Sequence, residues 1–423
     1  MNNIIEIQII ESLRNGIPPR RGIDKYTVGY KKLIDGIRKY HLSNIQNIGK
    51  IRFVSGSWGS GKTHLFRLIT DMGFQENCVI SNVELKVDEA PLNKFELVFA
   101  SIIRNIYTAT YYYENQFNDI NPFGLLLKEA LKKLAGLTSD YEDSITEEQF
   151  SKAVENLMNC KGIDIDFKKI IHHYWKTYLE DKIYSNEEAM EKIREEIFQW
   201  FVGEGSISHY RKRYEVNKII SRQNSKIMLK SLVEFIKLIG YKGLIILFDE
   251  AEQSYSVMRK SALREAHNNL LTLINNIENV PGIFLIYATT PDFYTDQKHG
   301  IVLYGALASR IGKPEQKPPS ALDNIWNLDA TTPKLEDYQE AAKKIRNIYI
   351  KAYADAENKI LNEEATDRLI ENLYSEHSKI APVRFWRIMV TALIRKFDSQ
   401  LEGEDYPDDK LYYDIMEKLR EDL

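Results

Sequence analysis

FVSGSWGSGKTHLF (residues 53–66) is the most informative segment of this 423-residue chain. A short apolar run ends in small residues, and a lysine, a threonine and a second apolar segment follow. Residues 56–63 satisfy the pattern G-x-x-x-x-G-K-[ST], which is meaningful where a strand precedes it and a helix follows. Glycine permits positive φ, so the backbone N–H groups of such a loop approach phosphate oxygens, and the helix N-terminus adds its positive dipole end. The segment therefore predicts a phosphate-binding loop.

Two side chains of this loop have candidate roles of their own. We expect Lys62 to reach the β- and γ-phosphates of a nucleotide, and the Thr63 hydroxyl to ligate Mg²⁺. ATP and Mg²⁺ are thus the expected ligands. The residues predicted to bind the nucleotide are Gly56, Ser57, Trp58, Gly59, Ser60, Gly61, Lys62, Thr63 and His64.

The other half of such a site is expected in LIILFDEAE (residues 244–252). Acids at the carboxyl end of a buried parallel strand lie at the sheet edge where ligands bind. We expect Asp249 to hold Mg²⁺ through water, and Glu250 to orient and deprotonate the attacking water. Alone, the pair would indicate no more than two solvated acids, but the phosphate loop upstream favours the catalytic interpretation. A glutamate directly after the aspartate favours hydrolysis over transfer to a small metabolite.

A third element of the site is expected at the end of IFLIYATT (residues 283–290). A polar residue that ends the strand between the two motifs would sense the γ-phosphate. Thr289 and Thr290 are both candidates, and the sequence does not separate them. The alternative is that both are simple turn residues before Pro291.

Hydrophobic periodicity predicts an α/β fold with a parallel sheet flanked by helices, and the phosphate-loop motif makes it one of the P-loop NTPase type. Helical stripes with i, i+3, i+4, i+7 spacing follow the loop and recur between the apolar runs. The continuously apolar LIILF is typical of a parallel strand covered on both faces. The predicted strands are IRFVS (51–55), CVISNVELK (78–86), LIILF (244–248), IFLIYATT (283–290) and IWNLD (325–329).

The same patterns predict three regions. Residues 1–50 hold two helices around a turn that contains Pro18 and Pro19. Residues 51–330 form the core, interrupted at about 103–225 by a helical insertion without a convincing strand, because so long a stretch is not a simple connection. Residues 331–423 are helical.

Composition excludes several classes of protein. The formal net charge of −4 is not that of a basic nucleic-acid coat. Cys78 and Cys160 match no metal spacing and predict two reduced, mostly buried thiols. The N-terminus lacks the basic region of a signal peptide, and the apolar runs are too short to span a bilayer, so we expect a cytoplasmic protein without membrane contact.

Two weaker candidate sites were weighed. Basic residues between Arg211 and Lys230, interleaved with Tyr210 and Tyr214, predict contact with DNA phosphates, a solvated helix face or a partner contact. His172 and His173 are adjacent, so on a helix they point in different directions and make a poor metal pair.

The motifs resemble those of AAA+-type P-loop ATPases. A closer resemblance is to the ATP-binding proteins of the BREX phage-resistance system, the BrxD-like group. It is carried by LRNGIPPRRGIDKYTVGY near the start, GSGKTHLFRLI, GYKGLIILFDEAE, and ATTPDFY followed by ALASRI. It covers most of the chain but little of residues 103–225.

The resemblance implies an ATPase within a prokaryotic multi-protein defence system, and it implies further site residues. Residues 17–29 resemble the segment that packs against adenine, and the C-terminal helices resemble a lid. Arg310 resembles an arginine finger that acts on a neighbouring subunit's nucleotide, which implies a homo-oligomer. APVRFWR resembles the lid region whose arginine touches the γ-phosphate; Val383 stands where that arginine is expected, so Arg384 is chosen, with Arg387 as the alternative.

Two functions from different classes follow. The first is Mg²⁺-dependent ATP binding and hydrolysis that drives conformational change in an anti-phage defence or DNA-associated complex with other defence proteins. The alternative is a nucleotide-gated scaffold that binds ATP, scarcely hydrolyses it and recruits partners. A small-molecule kinase is disfavoured by the Asp249–Glu250 pair and by the lack of an acceptor-site motif.

Overall fold

The fold is built on a mixed β-sheet in the strand order β3-β2-β4-β5-β1-β6. The strands are β1 (Lys50–Ser55), β2 (Val79–Glu84), β3 (Ile106–Tyr107), β4 (Leu244–Asp249), β5 (Ile283–Thr289) and β6 (Ile325–Asn327). The structure is a computed structural model that describes residues 3–114, 121–137, 145–184, 187–251, 255, 257–380 and 385–421.

β5 lies between β1 and β4 and pairs with both of them in parallel. Its register sets Thr289 opposite Ser55, the last residue before the phosphate loop. β2 pairs in parallel on the other side of β4, with Glu84 opposite Asp249. All five predicted strands form, and their carboxyl ends meet at one edge of the sheet.

β3 corrects the prediction that residues 103–225 contain no strand. Ile106 and Tyr107 pair antiparallel with Ser81 and Ile80 at the edge of the sheet. Two residues are too few to produce a recognisable alternation of apolar and polar side chains, so periodicity does not detect such a strand. The sheet is therefore mixed rather than wholly parallel.

Helices account for the connections and for the C-terminal region, as predicted. They are α1 (Ile4–Arg14), α2 (Lys31–Tyr40), α3 (Lys62–Gln75), α4 (Phe95–Arg104), α5 (Ala109–Glu114), α6 (Pro122–Ala135), α7 (Glu147–Asn159), α8 (Ile165–Tyr184), α9 (Glu187–Phe201), α10 (Ile207–Tyr214), α11 (Ser225–Leu238), α12 (Lys260–Asn276), α13 (Asp292–Thr295), α14 (Gly305–Ile311), α15 (Leu335–Ala352), α16 (Glu363–Ile380), α17 (Trp386–Leu401) and α18 (Asp408–Glu421). Short 3₁₀ turns join several of them.

Three apolar clusters bury these elements. One covers a face of the sheet and continues without a break into α6–α10, so Phe53 of β1 and Trp175 of α8 belong to the same core. A second covers the opposite face and holds Leu65 and Ile69 of α3. The helices within residues 103–225 therefore share a core with the sheet, and the proposed domain boundaries stay predictions.

The third cluster joins the start of the chain to its C-terminal helices. Ile9 and Leu13 of α1 pack with residues of α15 and α17. Arg14 reinforces this packing, because its Nε and Nη2 each donate a hydrogen bond of 2.7 Å to the Asp398 carboxylate on α17. The first helix of the predicted N-terminal region thus packs against the helices of the predicted C-terminal region.

The prediction of two free thiols is confirmed within the described residues. Cys78 is buried and Cys160 half-buried, and both are free thiols. None of the described helices has the length and apolarity that a bilayer crossing requires.

Candidate functional site

The backbone of the phosphate loop requires its glycines. Gly59 and Gly61 have φ values of 73° and 93°, in the left-handed region that other residues rarely adopt. A Cβ on Gly56 would lie 2.1 Å from Ser60 Oγ, which only glycine avoids. β1 ends at Ser55 and α3 begins at Lys62, so the loop has the strand–loop–helix context that its motif demands.

Lys62 lies folded over this loop. Its Nζ donates a hydrogen bond of 2.8 Å to Gly56 O, and Ser57 O is 3.4 Å away. The ammonium is also 5.8 Å from the ring centroid of Trp58, whose side chain is largely exposed. The charge is thereby held at the mouth of the loop, where carbonyl oxygens and an aromatic face stabilise it.

Asp249 and Glu250 face the loop from the end of β4, and all three line one cavity. Burial raises the pKa of Asp249, while the Glu250 N–H and the Lys62 charge act in the opposite direction. Asp249 Oδ1 accepts the Glu250 N–H at 3.0 Å. Glu250 has a φ of 57°, unusual for a residue with a side chain, so the backbone turns sharply at this point.

The oxygen ligands at this edge fit Mg²⁺. A desolvated carboxylate and a hydroxyl are donors that this hard cation prefers, and its charge would offset the burial of Asp249. No cluster of three or more acidic, histidine or cysteine side chains suited to a metal occurs among the described residues. Thr63 and Asp249 would therefore share the ion with phosphate oxygens and water.

The cavity has a volume of about 410 Å³ and two chemically different ends. Residues 58–64 of the loop, Asp249 and Glu250 form the polar end. The other end is apolar and is shared by α1, the segment after it, and the C-terminal helices; its lining includes Leu13, Ile17, Pro18, Val28, Ile345, Met389 and Val390. A ligand with an apolar ring system and a charged tail matches this lining.

His64 connects the loop helix to the segment of residues 17–29. Its Nε2 lies 2.8 Å from Thr27 Oγ1, and that hydroxyl donates its own hydrogen to Ile23 O at 2.8 Å. His64 Nε2 is therefore the donor to Thr27. Burial lowers the pKa of His64 to about 4, so the ring is neutral at neutral pH. His64 thus lines the cavity as a neutral ring whose hydrogen bond to Thr27 joins α3 to the segment of residues 17–29.

The two candidate threonines are placed differently. Thr289 Oγ1 is fully buried, 3.2 Å from Val54 O and 3.0 Å from Tyr294 Oη, so its hydroxyl has internal partners. Thr290 follows it and keeps 8% of its surface exposed. Within the described part of the chain, neither threonine belongs to the lining of the cavity.

The three candidate arginines also separate. Arg387 lines the cavity at the start of α17. Arg384 lies outside the described residues. Arg310 is exposed on α14 and lines a different groove, beside the amino end of β1, so it is remote from this chain's own phosphate loop.

Sequence patterns missed several residues of the site. Tyr26, Tyr30 and Trp386 line the cavity, and Asp329 contacts the loop from the end of β6. The signal for Asp329 was its place as the last residue of the predicted strand 325–329. The aromatic residues carried no such signal, because tyrosine and tryptophan are equally frequent in cores.

The basic stretch near α10 is largely occupied by internal contacts. Arg213 pairs with Glu196 at 2.7 Å and Lys218 with Asp164 at 2.8 Å. The interleaved Tyr210 and Tyr214 are buried in the core. These pairs favour the alternative of a helix face over contact with DNA, which stays a prediction.

Comparison with other proteins gives one informative match. No curated protein and no solved structure matches the chain significantly. The model of the family described as "BREX system ATP-binding protein BrxC/D" matches residues 2–414, which include the loop, the Asp249–Glu250 pair and the C-terminal helices. The resemblance stated from the motifs is thereby confirmed. The chain belongs to the BrxC/D family of BREX system ATP-binding proteins.

Proposed function

We propose that this protein hydrolyses ATP with Mg²⁺ and uses the turnover to change conformation within a BREX assembly. The observation that carries the proposal is that the phosphate loop and the Asp249–Glu250 pair line the same cavity. Phosphate binding requires only the loop. A second carboxylate next to a metal-binding one is what hydrolysis needs in addition.

The loop would bind the triphosphate. Its N–H groups and the N-terminus of α3 would face the phosphate oxygens, and Lys62 would exchange its contact with Gly56 O for the β- and γ-phosphates. Thr63 and Asp249 would hold Mg²⁺, which would neutralise phosphate charge. Phosphate oxygens carry more negative charge than a carbonyl oxygen, so this exchange would favour the bound state.

Glu250 would act as the general base. Its backbone is fixed by the hydrogen bond to Asp249 Oδ1, so its side chain starts from the carboxyl edge of the sheet. A carboxylate there takes the proton of the attacking water as the oxygen bonds to the γ-phosphorus and ADP leaves. Thr290, nearer the surface than Thr289, would be the better candidate for orienting that water.

The apolar end would hold the adenine. Residues of the 17–29 segment meet those of α15 and α17 there, so a bound base would bridge the two. The strand order, with β5 between the loop strand and the Asp249 strand, supports an AAA+ type of core. The C-terminal helices would then be its lid, with Arg387 reaching the phosphates when the lid closes.

Arg310 would act in another copy of the chain. It is exposed and far from its own loop, so a contribution to hydrolysis requires a neighbouring subunit. Its guanidinium is always charged and suits phosphate oxygens. A homo-oligomer follows from this role.

Turnover by the purified protein tests the proposal. ATP hydrolysis should need Mg²⁺ and should be measured with the protein alone, with DNA, and with the proteins encoded by neighbouring genes. Phosphate release that tracks the protein in every purification step is the expected result. Absence of ATP binding under all three conditions contradicts the proposal.

A nucleotide-gated scaffold is the second candidate. It is favoured by one observation: Thr289 is bonded internally and Arg310 is remote, so a single chain has few groups to stabilise the transition state. Stoichiometric ATP that stays intact on the protein for hours, with and without partners, would support the scaffold instead of the hydrolase.

A further inference from the structure

A second cavity, of about 330 Å³, lies beside the first half of β1, at the opposite end of that strand from the phosphate loop. β6 pairs with residues 53–55, so residues 50–52 extend past the end of its ladder and border the opening. We call this cavity the β1 groove. Its lining comprises residues 48–53, Ile274, Ile277, Glu278, Arg310, Ile311 and Asn324.

Three cations line the β1 groove: Lys50, Arg52 and Arg310. Lys50 and Arg52 are two residues apart on a strand and so project from the same face. In the described part of the chain, none of the three forms an ion pair with a carboxylate. Lys50 Nζ donates to Tyr40 O at 2.6 Å, and Arg52 Nη1 donates to Ile51 O at 2.8 Å.

Arg52 is the least satisfied of these cations. Its Nε is buried and has no hydrogen-bond partner among the described residues. Burial lowers the pKa of Arg52, and the Asp323 charge opposes this only in part. Burial and the Arg52 charge likewise lower the pKa of Lys50. Two desolvated like charges raise each other's energy, and an anion between them would relieve it.

We propose that the β1 groove binds a phosphate group as a dianion. Three cations and Glu278, the one carboxylate in the described lining, leave the lining with two formal positive charges in excess, and Asp323 outside the lining offsets the Arg52 charge only in part. A single carboxylate would leave one of these charges without compensation. A phosphate dianion supplies both charges and several acceptor oxygens, one of which can take the Arg52 Nε–H.

The phosphate can come from two sources. A free phosphate or pyrophosphate would bind to the dilute chain. The terminal phosphate of a nucleotide held by a second copy would bind only when chains associate. That second source rests on the proposed function, because Arg310 lines the β1 groove and is also the proposed arginine finger. The experiment therefore uses separate arms for the two sources.

The first arm measures phosphate and pyrophosphate binding to the dilute full-length Lys62→Ala chain, in which the phosphate loop is weakened. Calorimetry should show saturable binding that falls at least about tenfold in Lys62→Ala/Arg52→Gln, as expected for loss of one charged hydrogen bond. Lys192→Gln is the control, since Lys192 is 71% exposed, pairs with Glu188 and does not line the β1 groove. Phosphate should also raise the thermal midpoint of the Lys62→Ala chain and not that of its Arg52→Gln derivative.

The second arm measures ATP turnover against protein concentration, in chains with an intact phosphate loop. If the dilute chain binds no phosphate, Arg52→Gln should remove the rise of specific activity with concentration while ATP affinity stays unchanged. Two outcomes overturn the proposal. One is phosphate binding to the dilute chain that Arg52→Gln leaves unchanged. The other is no phosphate binding together with a normal rise of specific activity in the Arg52→Gln chain. ATP affinity, measured separately, reports on the proposed function by itself.

Discussion

One carboxylate oxygen of Asp329 accepts two hydrogen bonds from Ser57: Oδ2 lies 2.8 Å from the Ser57 backbone N and 2.7 Å from Ser57 Oγ. Asp329 is itself held, since its N–H donates to Asn327 Oδ1 at 3.1 Å. Asn327 Nδ2 in turn donates to Glu315 O at 2.8 Å. The end of β6 thus holds the first turn of the phosphate loop in place.

Replacing Asp329 with alanine should weaken ATP binding about tenfold, because the loop loses two charge-assisted hydrogen bonds and orders less readily. Ser57→Ala should cost less, since the backbone N–H bond to Asp329 remains. Calorimetric affinities of the two single variants and the double variant give the coupling between them. Effects that simply add would show that the Ser57 Oγ bond does not contribute to binding, and wild-type affinity in Asp329→Ala would exclude the whole contact.

Lys62→Ala should lower ATP affinity by at least about a hundredfold, because one cation and its bonds to two phosphates are lost. Lys62 lies outside the apolar clusters, so the fold should be unaffected. Lys192→Ala is the control, because that side chain is 71% exposed and its ion pair with Glu188 contributes little. Wild-type affinity in Lys62→Ala, measured with Mg²⁺, would refute the phosphate assignment.

Glu250→Gln should retain ATP binding and slow hydrolysis by roughly a hundredfold or more, because an amide cannot accept the proton of the attacking water. Glu89→Gln, an exposed acid outside the cavity lining, should behave as wild type. Single-turnover release of labelled phosphate is the measurement. Unchanged turnover in a protein free of contaminating ATPase would move the base elsewhere or favour the scaffold.

Arg387→Ala should weaken ATP binding roughly tenfold and ADP binding less, because a guanidinium in the cavity would contact the terminal phosphate. Arg384→Ala is the matched comparison, since the motif resemblance alone chose that residue. Affinities for both nucleotides should be measured for both variants. A loss confined to Arg384→Ala would restore the first choice, and equal losses for ATP and ADP would exclude a γ-phosphate contact.

Arg310→Ala should abolish any rise of specific activity with protein concentration and leave nucleotide affinity nearly intact. The reason is that an exposed guanidinium on α14 can stabilise transition-state charge only in a neighbouring chain. Arg310→Ala and Glu250→Gln chains, mixed, should regain part of the turnover, because each supplies what the other lacks.

The oligomeric state decides how this experiment is interpreted. Light scattering with ATP should show association at the concentrations where specific activity rises. A monomer whose specific activity is independent of concentration and of Arg310 would exclude the finger. Hydrolysis would then have to be triggered by another protein.

Local chemistry made much of the site predictable. The need for glycine at Gly59 and Gly61 arises from backbone conformation within a few residues, and so does the placement of Lys62 at the start of α3. Continuous apolar runs predicted β4 and β5, because strands buried on both faces need no polar positions. Asp249 and Glu250 directly follow the apolar run of β4, so the sequence also indicated that the acids lie at the carboxyl end of that strand.

Short and partnered elements were not predictable in the same way. β3 has two residues and depends on β2 for its hydrogen bonds. The basic residues Arg213 and Lys218 look free in the sequence, but acids from other helices pair with them. A run of basic residues carries no information about acids that are distant in the sequence. Whether these basic residues are paired or open to a ligand therefore depended on the fold.

The sequence by itself determined that this protein is of an ATP-binding kind, since the loop and the Asp249–Glu250 pair are each encoded in fewer than ten consecutive residues. Tertiary structure alone decided that Asp329 meets Ser57 across a separation of 272 residues, that Arg387 enters the cavity, and that Thr289 is bonded internally. It also brought Arg52 and Arg310 to one groove. The physical reason is that backbone conformation follows from neighbouring residues, whereas the partner of a side chain follows from how strands and helices pack.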